Sequence, residues 1–297
     1  MLKHSIPPSP PAGDPQSRFI EINGIRIHYR RLGTGGPLIL LIHGSFLNLD
    51  SWSEVMGPLA ELGTVVAFDR PGFGASDRPL PGPGRSGMAL YSAEAQARLV
   101  AELIPELGFK RALLVGNSTG GTLALLTALA QPERVSGLVL IDAMVYSGYA
   151  TSEVPAAVRG FMAAIKPVFS WLMGVLIDRL FAKAMRRFWY RPERLSDERI
   201  AQLKSEFMQG AWREAFFELF LATRKLALDQ RLPDLRLPTL VITGEHDRAV
   251  KPEESLRLAQ AIAGAKLCVI PESGHLPHEE QPTAVLAAIR DFISRLA

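Results

Sequence analysis

The chain has a single cysteine, no membrane-length apolar run and no basic tract, and each absence excludes something. Cys268 alone cannot form a disulfide within the chain. It lies in the apolar run KLCVI, where it reads as a buried, inert thiol. No stretch reaches the ~18 uninterrupted apolar residues of a membrane span. The closest approach, PVFSWLMGVLI, stops at Asp178. Lys and Arg are interspersed with Asp and Glu at a net charge of +3, so no nucleic-acid partner is expected. No Cys/His cluster offers a metal site, and no metal or organic cofactor is expected. There are no internal repeats.

What is present suits one large α/β domain. The chain has 297 residues, 47% of them hydrophobic, which is ample for a well-buried core. The start, MLKHSIPPSPPAGDPQ, is Pro-rich and has a charge but no apolar segment. Residues 1–17 therefore read as a flexible leader and not a signal peptide, which places the protein in the cytoplasm.

Two strand-like runs, RFIEI and RIHYRRL, flank Asn23-Gly24 and predict a β-hairpin. Six runs follow that are apolar at every position: 37–43, 64–69, 111–117, 135–142, 238–244 and 266–271. Such runs fit strands covered on both faces. Helical patterns over 92–107, 119–130, 252–263 and 282–297 alternate with them. The alternation predicts a mostly parallel, doubly wound sheet. It breaks at residues 144–232, a stretch dense in helix formers and aromatics, which reads as a helical insertion between two strands of one sheet. The sheet domain is then 18–143 plus 233–297.

Gly116-Asn117-Ser118-Thr119-Gly120 spells G-x-S-x-G between a strand and a helix. That context suits a nucleophile elbow, in which a strained turn presents the serine hydroxyl above the C-terminal edge of the sheet. A Gly-rich turn without chemistry would look the same in isolation. A serine nucleophile needs a base and an orienting carboxylate. His275 follows the last buried strand, and Asp247 follows the strand before it. Three residue types in the order Ser, Asp, His, each after its own strand, make Ser118, Asp247 and His275 the candidate triad. Asp142 and Glu245 compete for the acid role. His246 and His278 read as structural or surface groups, and neither His4 nor His28 has a partner by position. The amides of Thr119 and Ser45 are candidate oxyanion donors, with Phe46 a near alternative to Ser45. His43, Asp69 and Arg70 read as braces of the surrounding loops.

Together, His43-Gly44, Asp69-Arg70-Pro71-Gly72, the elbow, Gly244 through Asp247, and Gly274-His275 followed by Glu280 and Pro282 resemble the α/β-hydrolase family. The resemblance spans residues 18–297 and puts the insertion in the place of the family's cap. It implies an α/β-hydrolase fold and a cofactor-free acyl-enzyme mechanism. Haloalkane dehalogenases and epoxide hydrolases carry Asp at the elbow, whereas this chain has Ser118. Carbon–carbon hydrolases of ring-cleavage products use Ser but commonly have Trp after the histidine, where this chain has Leu276. HGSFLNLDSW is similar to the same loop of perhydrolase-like esterases. The resemblance thus implies hydrolysis of carboxylic esters with hydrophobic acyl or aryl groups. The alternatives are C–C hydrolysis and a slow-turnover small-molecule receptor. Phe46, Trp171 and Leu276 are assigned to the substrate pocket. Arg179, Lys183, Arg186 and Arg187 beside apolar residues suggest a weak contact of the cap with a lipid surface.

Overall fold

The computed structural model describes residues 16–83, 86–147 and 155–296, so most of the expected leader, residues 1–15, lies outside the described part. Eight strands form one sheet in the order β1-β2-β4-β3-β5-β6-β7-β8. They are β1 (Ser17–Ile22), β2 (Ile25–Leu32), β3 (Leu38–Ile42), β4 (Thr64–Phe68), β5 (Ala112–Asn117), β6 (Val135–Ile141), β7 (Thr239–Gly244) and β8 (Lys266–Ile270). The first two are antiparallel to each other, and β2 is antiparallel to β4; every later pairing is parallel. The hairpin turns at Asn23 and Gly24, both with positive φ, as a two-residue turn matched to strand twist requires.

Helices α1 (Ser53–Leu59), α2 (Gly87–Tyr91), α3 (Ala93–Glu106), α4 (Thr119–Ala130), α9 (Pro252–Ala261), α10 (Pro277–Glu280) and α11 (Pro282–Ser294) surround the sheet. The all-apolar strands follow from two cores. In β3, Leu38, Leu40 and Ile42 enter the core beneath α3 and α4, while Ile39 and Leu41 enter the other, beneath α1 and α11. Alternate side chains point to opposite faces, so a strand covered on both must be apolar throughout. The last strand departs from that expectation. β8 is a sheet edge, its Val269 is exposed, and Cys268 is only half-buried, with burial pushing its thiol pKa up. His28 also differs from its sequence reading: it pairs with Asp69 through Nδ1 at 2.7 Å.

Between β6 and β7 the chain forms α5 (Ala156–Ala164), α6 (Lys166–Phe188), α7 (Asp197–Phe207) and α8 (Trp212–Leu221). Among the described residues this stretch holds no strand. Its helices cover the C-terminal ends of the sheet strands. Phe181, Phe207 and Phe216 close around Phe46, with ring centroids 6.3, 5.2 and 5.5 Å from it. Beside this apolar seam lies a polar cleft of about 550 Å³, bordered by Arg30, Asp50, Ser51, Arg199, Gln202 and Glu279. Among the described residues, no helix is long and apolar enough to cross a membrane.

Glu279 in that cleft accepts a short hydrogen bond from the Ser51 hydroxyl. Burial, outweighing this bond and the charge of Arg199, raises its pKa to about 7. The protonated form thus favours the folded state. The stability it contributes is fully present below the ordinary glutamate value of 4.5 and is lost as pH rises through about 7. Glu279→Gln should therefore gain Tm over the wild type between about pH 5 and pH 8, read by thermal melts at both. An offset identical at the two pH values would refute this origin.

Candidate active site

The sharpest constraint is the turn after β5. Ser118 has φ 55° and ψ −121°, a conformation that L side chains rarely adopt. The chain holds it because its neighbours are small. A Cβ on Gly120 would lie 2.1 Å from the carbonyl oxygen of Ile42, and one on Gly116 would lie 2.4 Å from that of Gly120. The Ser118 amide donates to the Ile141 carbonyl at 2.9 Å, which ties the turn to β6. The next residue, Thr119, begins α4, so its amide is among the first-turn donors without an intrahelical acceptor. Its hydroxyl lies 3.2 Å from that of Ser45, on the loop after β3. The two loops carrying the expected oxyanion donors are thereby in contact.

His275 Nδ1 lies 2.7 Å from Asp247 Oδ2, both residues being buried. The other Asp247 oxygen accepts from the amides of Ala249 at 2.6 Å and Val250 at 3.1 Å. This local turn fixes the carboxylate before it meets the imidazole. The carboxylate holds the proton on Nδ1 and leaves Nε2 to accept one. The His275 amide donates to Phe188 O at 2.7 Å, so the end of α6 anchors the histidine loop. Glu280 reinforces this junction by accepting from the amides of Gly274 and Tyr190, at 2.7 and 2.8 Å. Asn117 Nδ2 donates to His275 O at 3.1 Å, joining that loop to the elbow.

Ser118 and His275 border one cavity of about 300 Å³. Its walls also include Ser45, Phe46, Leu276, Met144, Phe188 and Phe220. Phe46 and Leu276, assigned to the pocket from sequence, are thus at the cavity. Trp171 is not. It is exposed on the outer side of α6, because the buried face of that helix is set by Ser170, Gly174, Phe181 and Met185. Phe188 and Phe220 take the place assigned to it. Only the helical spacing around Ser170 and Gly174, two small residues on one face, hinted at the correct orientation.

Asp142, a competitor for the acid role, is in a different state from Asp247. It follows β6 with φ 46° and is fully buried. Its Oδ1 accepts from the Thr243 hydroxyl at 2.6 Å and the Gly244 amide at 3.3 Å. Burial first, then the neighbouring Asp247 carboxylate, raise its pKa well above the usual range. Its surroundings therefore favour the protonated, neutral form. Donor atoms of Asp142, Asp247 and His275 lie within 4.8 Å of one another, a grouping that could be read as a metal site. The 2.7 Å His–Asp contact is shorter than the about 3.3 Å separating two ligands on a tetrahedral zinc, and suits a shared proton instead.

The remaining histidines have supporting positions. His43 is fully buried, and burial lowers its pKa to about 3. The neutral ring braces the loop through Gly44 O at 2.7 Å and the Arg70 amide at 3.0 Å. His278, also lowered to about 3 by burial, stacks on Trp52. His246 stacks on Tyr190 at 4.1 Å.

Two carboxylates so close but so different should respond differently to neutralisation. Asp142→Asn should keep turnover within about threefold, since burial and the neighbouring carboxylate favour the neutral form that Asn mimics. Asp247→Asn should lose about 10⁴-fold in kcat by releasing the imidazole tautomer. Steady-state kinetics of the two purified variants decide the matter. Equal losses would make Asp142 a second ionised partner and overturn the assignment.

Comparison with known proteins identifies the family. Residues 39–289 match the model of the alpha/beta hydrolase family. A 2-hydroxy-6-oxo-2,4-heptadienoate hydrolase from Pseudomonas putida is 31% identical over 287 residues, covering 93% of this chain and 96% of the relative. The solved structure of a meta-cleavage product hydrolase from Pseudomonas fluorescens superposes with a TM-score of 0.74 at 26% identity, over 94% of this chain and 98% of that one. A thermophilic esterase from Thermogutta terrifontis gives a TM-score of 0.72 at 28% identity, over 95% and 99%. With its strained Ser118 turn and the order of its strands, the chain belongs to the alpha/beta hydrolase family and is a hydrolase.

Proposed function

We propose that the chain hydrolyses a carbon–carbon bond next to a ketone, in a ring-cleavage product of the 2-hydroxy-6-oxo-dienoate class. The observation that carries this is the similarity to a hydrolase of that class along nearly the whole chain, with a serine at the elbow. This reading takes precedence over the ester hydrolysis expected from Leu276 and the loop spelling. Ser118, His275 and Asp247 act as nucleophile, base and orienting acid. The amides of Ser45 and Thr119 stabilise the oxyanion, and Phe46 and Leu276 form part of the substrate wall.

The chemistry needs one step that an ester does not. A proton first moves from the 2-hydroxyl to C5, because only the keto form lets C5 leave as a conjugated enolate. Ser118 Oγ then adds to the C6 carbonyl carbon while His275 Nε2 takes its proton. The C5–C6 bond breaks, its electron pair enters the dienolate, and His275 returns the proton. Water hydrolyses the acyl-enzyme and regenerates Ser118.

Ester hydrolysis stands as a second reading because, among the described residues, no Lys or Arg lines the cavity to meet a substrate carboxylate. The wall residues are mostly apolar, as suits an uncharged ester.

The test is direct. The purified protein should remove the visible absorbance of a 2-hydroxy-6-oxo-dienoate with a kcat/KM exceeding that for short p-nitrophenyl esters. Ser118→Ala should lose at least about 10⁴-fold on both. Turnover of the esters alone would replace the C–C reading with the ester one. Phe220→Ala, which opens one wall, should shift preference toward substrates with longer acyl groups by about tenfold in relative kcat/KM. An unchanged chain-length profile would take Phe220 out of the acyl pocket.

A further inference from the structure

Seven of the ten exposed large hydrophobic side chains among the described residues fall between Val158 and Leu180. Scattered exposed apolar residues are ordinary, but this concentration is not. Val168, Leu172, Leu176 and Leu180 are 67%, 56%, 55% and 46% exposed and recur every fourth residue of α6, a single stripe along the helix. Trp171 borders the stripe, and Phe161 of α5 is 65% exposed. The buried residues Ser170, Gly174, Phe181 and Met185 occupy the opposite side, so the stripe faces away from the rest of the chain.

The charges of α6 are one-sided. It carries Lys166, Arg179, Lys183, Arg186 and Arg187 against a single acid, Asp178. Lys166 is paired with Glu218, Arg186 with Asp197, and Asp178 with Lys204. Arg179, Lys183 and Arg187 are exposed. By helical spacing they continue the stripe at its C-terminal end: Arg179 and Lys183 are three residues after Leu176 and Leu180, and Arg187 is seven after Leu180. The aliphatic stripe thus runs into cations; the one acid of α6, Asp178, lies on its Trp171 side and is paired with Lys204.

We propose that this outer face of α6, with the end of α5, docks on an anionic lipid bilayer. An apolar stripe with Trp at its edge and cations beside it is the pattern of a helix lying in the interfacial plane. The cations meet lipid phosphates, and the aliphatic side chains enter the acyl boundary. A second copy of the chain fits the face less well. It would desolvate three cations against an apolar stripe that offers no counter-charge. The docked helix is also a wall of the catalytic half of the molecule. Phe169 on α6 lies 6.1 Å, ring to ring, from Phe220, which borders the cavity. The Phe169–Phe220 pair thus lies between the outer face and the cavity that holds Ser118.

The experiment uses the full chain with vesicles of phosphatidylcholine alone or mixed with phosphatidylglycerol. Co-sedimentation should be at least about tenfold stronger on the anionic vesicles. Binding should blue-shift tryptophan emission, and Trp171→Phe should remove that shift while sedimentation persists. Leu172→Glu with Leu176→Glu should abolish sedimentation without changing Tm or kcat on a water-soluble substrate, since both positions are exposed and far from the triad. Arg179→Gln with Lys183→Gln and Arg187→Gln should remove the preference for anionic vesicles. The proposal is overturned if the chain stays in the supernatant with anionic vesicles. It also fails if the two Leu→Glu changes leave sedimentation intact. A concentration-dependent dimer that those changes dissolve would assign the face to a second copy instead.

Discussion

The close approach of the β5–α4 turn to β3 is the contact on which the site depends. Ile42 O and the backbone of Gly116 and Gly120 pack so tightly that a methyl group has no room. That packing holds Ser118 in an unfavourable conformation. The same contact places Thr119 at the start of α4 and beside Ser45. The candidate nucleophile and oxyanion donors are therefore consequences of one steric arrangement, rigid because it is built from backbone inside a core closed on both sides. A strain of this kind persists only where the surroundings over-determine it. The hydrogen bond from the Ser118 amide to β6 and the buried face of α4 supply that determination.

The acid–base half of the site is assembled differently, from loops. Asp247 is fixed by its own turn, but His275 is held in part by the insertion, through Phe188 O and through the Glu280 contact to Tyr190. The helices over the sheet edge thus do more than enclose substrate. They are mechanically joined to the imidazole. The histidine loop is thus tied both to the end of α6 and, through Asn117, to the serine turn.

Much of this was legible from residue order, and the exceptions have physical causes. The strands, the helices between them and the elbow are encoded locally, by unbroken apolar runs and by glycines where a Cβ cannot fit. Asp247 and His275 were legible because topology, not distance along the chain, brings loops after successive parallel strands to one edge. Cys268 was misplaced because an apolar run does not reveal whether its strand is central or at an edge. His28 found Asp69 through pairing of β2 with β4, a long-range register that spacing does not report. Asp142 could be named as a candidate acid but its protonation could not. That depends on the desolvation of two carboxylates whose separation only the fold sets. Trp171 failed for the converse reason. Aromatic content marks a pocket wall and an exposed docking face equally well, and only the orientation of α6 tells them apart.

That ambiguity explains why the reaction itself is the least local property of the chain. Ester and C–C hydrolysis share the attack on a carbonyl, the oxyanion and the acyl-enzyme. They diverge at the leaving group, an alkoxide in one and a conjugated carbanion in the other. The triad is indifferent to that choice as long as His275 can return a proton. What distinguishes them is whether the site can move a proton onto C5 beforehand and hold the enolate flat. Both demands fall on the cavity wall, to which Met144, Phe188 and Phe220 contribute. None of these can transfer a proton. Among the described cavity residues, His275 is the one imidazole or other basic side chain, so an enol substrate would use it for the first transfer as well as for the last. The same imidazole would then act twice in each turnover, and its 2.7 Å hold on Asp247 would have to survive both protonation states. The buried carboxyl of Asp142 is placed to help with that. It stands next to Asp247 in surroundings that favour its neutral form, which limits the negative charge facing the imidazole.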